Sequence, residues 1–156
     1  MPRKTADSSP RLSPQHELAW RNQLRVNALL VRALDADLRA QHGMTLVTYD
    51  ALVQLSEAPG RRLYMKDLAE ALVYSASGLT RLVDALERDG YARREPDPSN
   101  RRATLVVLTD AGQSALDEAW STHVAGVSER FAQWISDEQA EVIGEAFGAV
   151  RRQLDE

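Results

Sequence analysis

Four arginines in the second half of the chain are of the type and in the setting expected of groups that hold nucleic acid. They are Arg81, Arg94, Arg101 and Arg102. A guanidinium group donates several hydrogen bonds in one plane, so it can bind a phosphate or the O6 and N7 edge of guanine. Ser75, Ser77 and Thr80, which can bond phosphate or water at the edge of a groove, lie close to Arg81, and Gly78 lies among them. This combination predicts a surface for the backbone and base edges of a duplex.

Two short amphipathic helices are predicted to position the residues around Arg81. Each has apolar residues at positions i, i+3, i+4 and i+7. The two stripes are Met65, Leu68, Ala69 and Leu72, then Leu79, Leu82, Val83 and Leu86. Ser75 is the predicted N-cap of the second helix, because its hydroxyl can accept a hydrogen bond from the first turn. Two short helices joined by a tight turn are typical of a helix-turn-helix. Arg81 can reach guanine or only phosphate, and the glycine at position 78 indicates close approach to DNA or to another helix.

A basic hairpin is predicted after the second helix, which should end at Asp89-Gly90. Strands are expected over 91–95 and 103–108, separated by a turn with two prolines, an aspartate, a serine and an asparagine. Arg101 and Arg102 follow that turn, so one of them can enter a narrow, A·T-rich minor groove. Arg93 and Arg94 alternate across a strand, so only one can face DNA well, and Arg94 is the further candidate.

The order and spacing of these motifs resemble the MarR family of bacterial transcriptional regulators. The matching residues are Leu68-Ala69, Leu72, Ser77 to Asp84, Leu86-Glu87, Gly90-Tyr91, Arg93-Arg94, Asp97 to Ala103 and Leu108 to Gly112. The resemblance implies a mainly α fold with a small β wing, in which 61–63 adds a strand to the wing sheet. It also implies a homodimer that binds a pseudo-palindromic operator. Family wings usually have aspartate where this chain has Asn100, so the charge pairing that helps to orient the wing arginine is missing.

Three long helices are predicted outside the helix-turn-helix. The first begins at the N-cap Ser13 and runs to about residue 41, and a shorter helix capped by Thr45 follows through 57. The others run from Thr109 to about Ile135 and onward from a capping box at Ser136. The long helices carry apolar residues at alternating spacings of four and three, typical of helices that pack along one another. One chain has little left to cover them, which indicates dimerisation.

This pattern predicts three regions. Residues 1–12 are expected to be a disordered tail, because they are polar and lack periodicity. Residues 13–43 and 109–156 should form the helical dimerisation region, and 44–108 the winged helix-turn-helix. The polar N-terminus and the absence of a long apolar run predict a cytoplasmic protein without a membrane segment.

Composition permits DNA binding and excludes thiol chemistry. The net charge of −4 is mildly unfavourable for contact with nucleic acid, but arginines crowd the central stretch while the last two helices are acidic. Phosphates respond to the local electrostatic potential, so a segregated basic face matters more than the net charge of the chain. With no cysteine in the chain, thiol redox sensing and thiolate metal sites are excluded.

A small effector is a further expectation from the resemblance, since family members commonly respond to aromatic or phenolic molecules bound between the dimer helices and the DNA-binding head. Residues that could line such a cleft are Trp20, Leu24, Asn27, Tyr49, Leu52 and Met65. Plain core and interface packing is the alternative for each of them. Trp20 and Tyr49 differ from the others in carrying a polar group on an aromatic ring.

No residues indicate an enzyme, a metal site or a cofactor. His16, His42 and His123 lie on separate segments, without a pair at i, i+4. Asp84, Glu87 and Asp89 are explained by charge balance on a basic helix. We therefore expect a transcriptional regulator, most simply a repressor. The alternative is a winged helix used for protein–protein contact, which would not need Arg81 or the arginine pair after the turn.

Overall fold

The computed structural model describes residues 11–100 and 103–155. The helices are α1 (Pro14–His42), α2 (Leu46–Glu57), α3 (Met65–Ala71), α4 (Ala76–Arg88), α5 (Asp110–Arg130) and α6 (Asp137–Leu154). The strands are β1 (Arg62–Tyr64), β2 (Ala92–Pro96) and β3 (Thr104–Leu108). The fold is mainly α with a small β wing, as predicted. The first ten residues of the predicted tail, and both Arg101 and Arg102, lie outside the described residues.

Local side-chain chemistry sets the start of five helices. Each N-cap hydroxyl accepts a hydrogen bond from the backbone N–H three residues on, and these caps are Ser13, Thr45, Ser75, Thr109 and Ser136. The capping box at Ser136 is complete, because Gln139 also bonds the backbone of the cap residue. Left-handed glycines follow two helices, Gly43 with φ +65° and Gly90 with φ +77°. All five predicted caps are confirmed.

The three strands form one antiparallel sheet in the order β1-β3-β2. Val106 in the central strand pairs with Leu63 on one side and with Arg94 on the other. The predicted third strand is confirmed one residue later than expected, at Arg62–Tyr64, and the predicted strand at 91–95 is likewise shifted to Ala92–Pro96. Strand β2 is therefore an edge of the sheet, and its outer side faces α4.

A single core joins the helix-turn-helix to parts of the outer helices. Leu68 of α3 and Val83 of α4 are fully buried in it, together with Leu38 of α1 and Ala119 of α5. Gly112 holds the start of α5 against the hairpin, since a Cβ there would lie 2.1 Å from the Tyr91 carbonyl oxygen. Only a residue without a side chain permits this approach. The first half of α5 and the second half of α1 thus pack into the same core as the helix-turn-helix.

Helix α5 ends earlier than predicted. Its last residue is Arg130 rather than about Ile135, and Phe131 has φ −133° and ψ −63°. The Trp134 indole N–H donates to the Glu129 carbonyl oxygen at 3.0 Å, and the Gln133 amide donates to the same oxygen. These side chains satisfy a carbonyl at the helix end, and residues 132–134 form a 3₁₀ turn that leads into α6.

The outer helices leave much apolar surface uncovered within one chain. Helix α6 has no buried residue, and Phe147, Val150 and Leu154 are all exposed. Trp20 and Leu24, in the first half of α1, are exposed too. Among the described residues, no helix has the length and apolar character needed to span a bilayer.

Candidate nucleic-acid interface

The N-terminal half of α4 presents small hydroxyl side chains beside one unpaired arginine. Ser75, Ser77, Thr80 and Arg81 are all exposed. The Ser75 hydroxyl accepts from the Gly78 N–H at 3.2 Å, and the Thr80 hydroxyl donates to the Ala76 carbonyl oxygen at 3.0 Å. Arg81 makes no hydrogen bond or ion pair with another described residue. Its guanidinium is therefore available to a ligand outside the chain.

Gly78 has an intramolecular reason to be glycine. A Cβ at this position would lie 3.1 Å from Tyr74 Cδ1 and 3.2 Å from Ser75 Oγ. Both contacts are tighter than ordinary van der Waals packing, so a side chain would push the Tyr74 ring away. The structure thus gives close packing in the turn between α3 and α4 as one reason for this glycine.

Arg94 is held by its own chain instead of presenting a free guanidinium. It donates to the Asp84 carboxylate at 2.7 Å and to the Thr80 carbonyl oxygen at 3.3 Å, and it forms a close ion pair with Glu87. Its backbone N–H also donates to Glu87 at 2.7 Å. Its side chain is 27% exposed. The geometry differs from the expected free DNA contact, because two carboxylates one helical turn apart on α4 face the middle of β2.

Arg93 points away from α4 and makes a local pair. Its guanidinium lies 2.7 Å from Glu95 on the same strand, and its side chain is 56% exposed. This placement follows from the alternation of side chains along a strand. The two neighbouring arginines thus have different roles within the chain, since only Arg94 joins one element to another.

The wing turn is anchored by a buried carboxylate that sequence reasoning did not identify as an anchor. Asp97 is 6% exposed and accepts the Tyr64 hydroxyl at 2.6 Å. It also accepts the backbone N–H and the hydroxyl of Ser99, each at 2.8 Å. The hydrogen bond from Tyr64, followed by those from Ser99, lowers the pKa of the Asp97 carboxyl, while the pKa of Tyr64 is raised by the same contact. The turn is therefore oriented at position 97, although position 100 is asparagine.

The six candidate effector residues fall into two groups within one chain. Tyr49 and Leu52 are buried in the core, and Met65 packs against its edge. The other three, Trp20, Leu24 and Asn27, lie on the exposed first half of α1. Because α1 is one continuous helix of 29 residues, it cannot fold back to bring these three side chains onto the core residues of its own chain.

A contact between two aromatic rings joins α2 to α5. Tyr49 stacks on His123, and Asp50 is the charged group that acts on His123 through space. Burial lowers the pKa of His123, an effect that Asp50 opposes, while burial raises the pKa of Asp50 itself. Next to it, His42 Nε2 lies 2.8 Å from the Thr122 hydroxyl. Within 11–100 and 103–155, no group of three or more His, Asp or Glu side chains could hold a metal ion.

Comparison with known sequences relates this chain to transcriptional regulators. A model of the MarR family matches residues 42–103. The HTH-type transcriptional regulator YkoM of Bacillus subtilis is 28% identical over 103 residues, which is 66% of each chain. The HTH-type transcriptional regulator PecS of Dickeya dadantii is 28% identical over 132 residues, 83% of this chain and 78% of its own.

Solved structures extend the likeness to nearly the whole chain. AbsC, a MarR family transcriptional regulator from Streptomyces coelicolor, is 34% identical, with a TM-score of 0.86 over 94% of this chain and 98% of its own. Sco3205, a MarR family transcriptional regulator from the same organism solved in complex with DNA, is also 34% identical, with a TM-score of 0.88 over 95% of this chain and 92% of its own.

Proposed function

The chain belongs to the MarR family of transcriptional regulators, and on that premise we propose that it is a repressor that binds a pseudo-palindromic operator as a homodimer. The relatives found are transcriptional regulators and not enzymes, as the sequence led us to expect. The proposal includes the predicted cytoplasmic location, because a regulator of this kind must share a compartment with DNA.

The unpaired Arg81 on the exposed face of α4 is the observation that carries the proposal. Helix α4 would enter the major groove, with Arg81 bound to guanine O6 and N7, a contact that discriminates by about 1–3 kcal/mol. Ser75, Ser77 and Thr80 would contact phosphate or water at the groove edge, with Gly78 keeping the turn compact between them. The relative Sco3205, which has the same fold, was solved in complex with DNA, and this supports DNA binding by the present chain.

The wing would contribute the second contact. Arg101 and Arg102 follow directly on the turn that Asp97 anchors through Tyr64 and Ser99. We propose that one of the two arginines enters the minor groove and the other binds phosphate. A narrow A·T-rich groove would attract the inserted guanidinium most strongly, because its negative potential is greatest there.

The uncovered outer helices support the proposed homodimer. We propose that 13–43 and 109–156 form the dimerisation region and that 44–108 binds DNA. Apolar residues such as Phe147 and Leu154 on α6, which one chain leaves exposed, would then be buried against the second copy. Two heads related by a two-fold axis would read half-sites about one helical turn apart, roughly 34–36 Å.

A small aromatic or phenolic effector remains part of the proposal. Since Trp20, Leu24 and Asn27 lie on exposed helix and Tyr49 and Leu52 lie in the core, a cleft built from these residues and Met65 would need the partner subunit's α1. Such a molecule would release DNA only if it binds one dimer conformation more tightly than the other. The favoured conformation must be the one in which the spacing of the two heads does not fit DNA.

Selection from a library of randomised duplexes tests the proposal. We expect the wild-type chain to enrich a two-fold-symmetric sequence and to bind it with two chains per duplex. Affinity should fall steeply between about 50 and 200 mM salt, as expected for about 6–10 phosphate contacts. Enrichment of no sequence, or an affinity that hardly changes with salt, would contradict the proposal and favour the protein–protein alternative.

A further inference from the structure

We propose that Arg94 is a positioning residue that sets the placement of the wing relative to the recognition helix α4, the helix proposed to enter the major groove, and so determines specificity without touching DNA. The inference rests on the proposed DNA-binding function. It replaces the expectation that Arg94 itself contacts the duplex.

The acceptors of Arg94 lie along one flank of α4. Thr80, Asp84 and Glu87 are spaced by four and three residues, which places them on the same side of a helix. The guanidinium thus spans about two turns of the recognition helix from a single position on the wing strand. No other described side chain of β2 makes a hydrogen bond or ion pair with α4.

The backbone of Arg94 takes part in the same contact. Strand β2 is at the edge of the sheet, so the outward N–H of Arg94 has no strand partner. Glu87 accepts that N–H through one carboxylate oxygen and pairs with the guanidinium through the other. Glu87 therefore fixes both the main chain and the side chain of Arg94, which holds the strand at one height along α4.

Lysine could not make this set of contacts. A guanidinium offers several donors in a fixed plane, whereas an ammonium is a compact charge on a flexible stem. Arg94 reaches two carboxylates and one carbonyl oxygen at once, so its geometry matters as well as its charge.

The wing then has two anchors on different elements. Arg94 ties β2 to α4, and three residues later Asp97 ties the turn to Tyr64 at the end of β1. The contacts of Arg94 and Asp97 together set where the turn lies relative to Arg81. Because operator recognition requires the helix and the wing to reach two grooves together, a loose wing would weaken operator binding. General attraction to phosphate would be retained.

Two substitutions at Arg94, with a matched control on the same strand, test this role. Arg94→Gln and Arg94→Lys are titrated against the duplex selected by the wild type and against a random duplex of equal length, over a range of salt. We expect both variants to lose about tenfold in affinity for the selected duplex, with the salt slope unchanged. Affinity for the random duplex should stay at the wild-type value. Arg93→Gln removes the same charge one residue away and should leave the ratio of the two affinities unchanged.

Wild-type behaviour of Arg94→Lys would overturn the inference, since a charge alone would then suffice. A salt slope reduced by about 0.9 in Arg94→Gln, with parallel loss on both duplexes, would also overturn it by showing a phosphate contact. So would Arg93→Gln changing the affinity ratio as much as Arg94→Gln does.

Substitution of the acceptors keeps the test decisive if Arg94 variants fail to fold. The double variant Asp84→Asn, Glu87→Gln removes negative charge near the DNA face, which by simple electrostatics should tighten binding to any duplex. If these contacts position the wing, the double variant should instead bind the selected duplex about tenfold more weakly. It should also no longer protect the minor groove of that duplex where the wing binds. Unchanged or tighter binding to the selected duplex would refute the inference. If the wild type itself selects no duplex, the proposed function fails first and the inference fails with it.

Discussion

Tyr49 of α2 and His123 of α5 stack with their ring centroids 4.4 Å apart, and the Tyr49 hydroxyl and His123 Nδ1 are both buried without a hydrogen-bond partner among the described residues. Burial of polar atoms without partners is costly, and burial also disfavours a charge on His123. It lies where α2, the helix before the helix-turn-helix, packs against α5. The contact therefore links the protonation of one histidine to the packing of α2 against α5.

Stability should fall as the pH drops through the range in which His123 titrates. Burial lowers the pKa of His123 below its usual 6.5, so the unfolded chain takes up this proton before the folded chain does. The stability that neutral His123 contributes is fully present above pH 6.5 and is lost as the pH falls towards the pKa of His123 in the folded chain. Urea unfolding of the wild type and of His123→Phe, which keeps an aromatic ring but cannot titrate, measures it. A pH dependence in this window that is equally steep in both proteins would contradict the assignment to His123.

Asp50 should act in the opposite direction. Burial raises the pKa of its carboxyl above 3.8, so the unfolded chain ionises at a lower pH than the folded chain does. Stability is therefore lost as the pH rises from 3.8 towards the pKa of Asp50 in the folded chain. Asp50→Asn should therefore gain stability relative to the wild type at about pH 7 and lose that advantage at about pH 3. Comparison of the two proteins by urea unfolding at both pH values checks the sign. An advantage that is larger at the lower pH would show that the attraction to His123 outweighs burial.

Gly112 should tolerate no side chain. Gly112→Ala would place a Cβ 2.1 Å from the Tyr91 carbonyl oxygen, so α5 or the hairpin must move, and we expect a large drop in melting temperature. Gly144→Ala in α6 is the control, because its Cβ meets nothing within 4 Å of the same chain and alanine favours a helix by about 1 kcal/mol. Equal melting temperatures for the two variants would show that the approach of α5 to the hairpin is not as close as described.

The Tyr64 hydroxyl should matter for DNA and little for the core. Tyr64→Phe removes the hydrogen bond to Asp97 and leaves that carboxylate its hydrogen bonds from Ser99. We expect weaker binding to the selected duplex and faster protease cleavage within the wing, at a nearly unchanged melting temperature. Tyr91→Phe, at the base of the hairpin, is the matched control and should bind as the wild type does. Unaltered binding by Tyr64→Phe would show that this anchor does not position the wing.

Much of the fold follows from local patterns in the sequence. Ser75 and Thr109 were predicted as caps because a cap needs only its own hydroxyl and the N–H groups of the next turn. The apolar stripe that contains Leu79 and Val83 defines the buried face of α4 in the same way, and Arg81 on the opposite face is exposed as predicted. These features depend on residues within one turn of each other.

The remaining features depend on contacts between distant segments. Alternation along the strand predicts that Arg94 can face DNA, but it does not reveal that Glu87 and Asp84 lie beside this arginine. The apolar spacing continues to Trp134 and so predicts too late an end for α5, whereas the indole of that residue turns back to the carbonyl of Glu129. Tyr49 and His123 meet only because α2 and α5 cross, which spacing within either helix does not reveal.

Titration of Arg81→Ala against systematically altered duplexes tests the central claim most directly. Starting from the selected duplex, each symmetric pair of base positions is replaced in turn, and affinities of the wild type and the variant are compared at one salt concentration. We expect the variant to lose about 1–3 kcal/mol of discrimination at one guanine position in each half-site and to keep wild-type discrimination elsewhere. Discrimination equal to that of the wild type at every position would show that the exposed face of α4 does not read the duplex through this arginine.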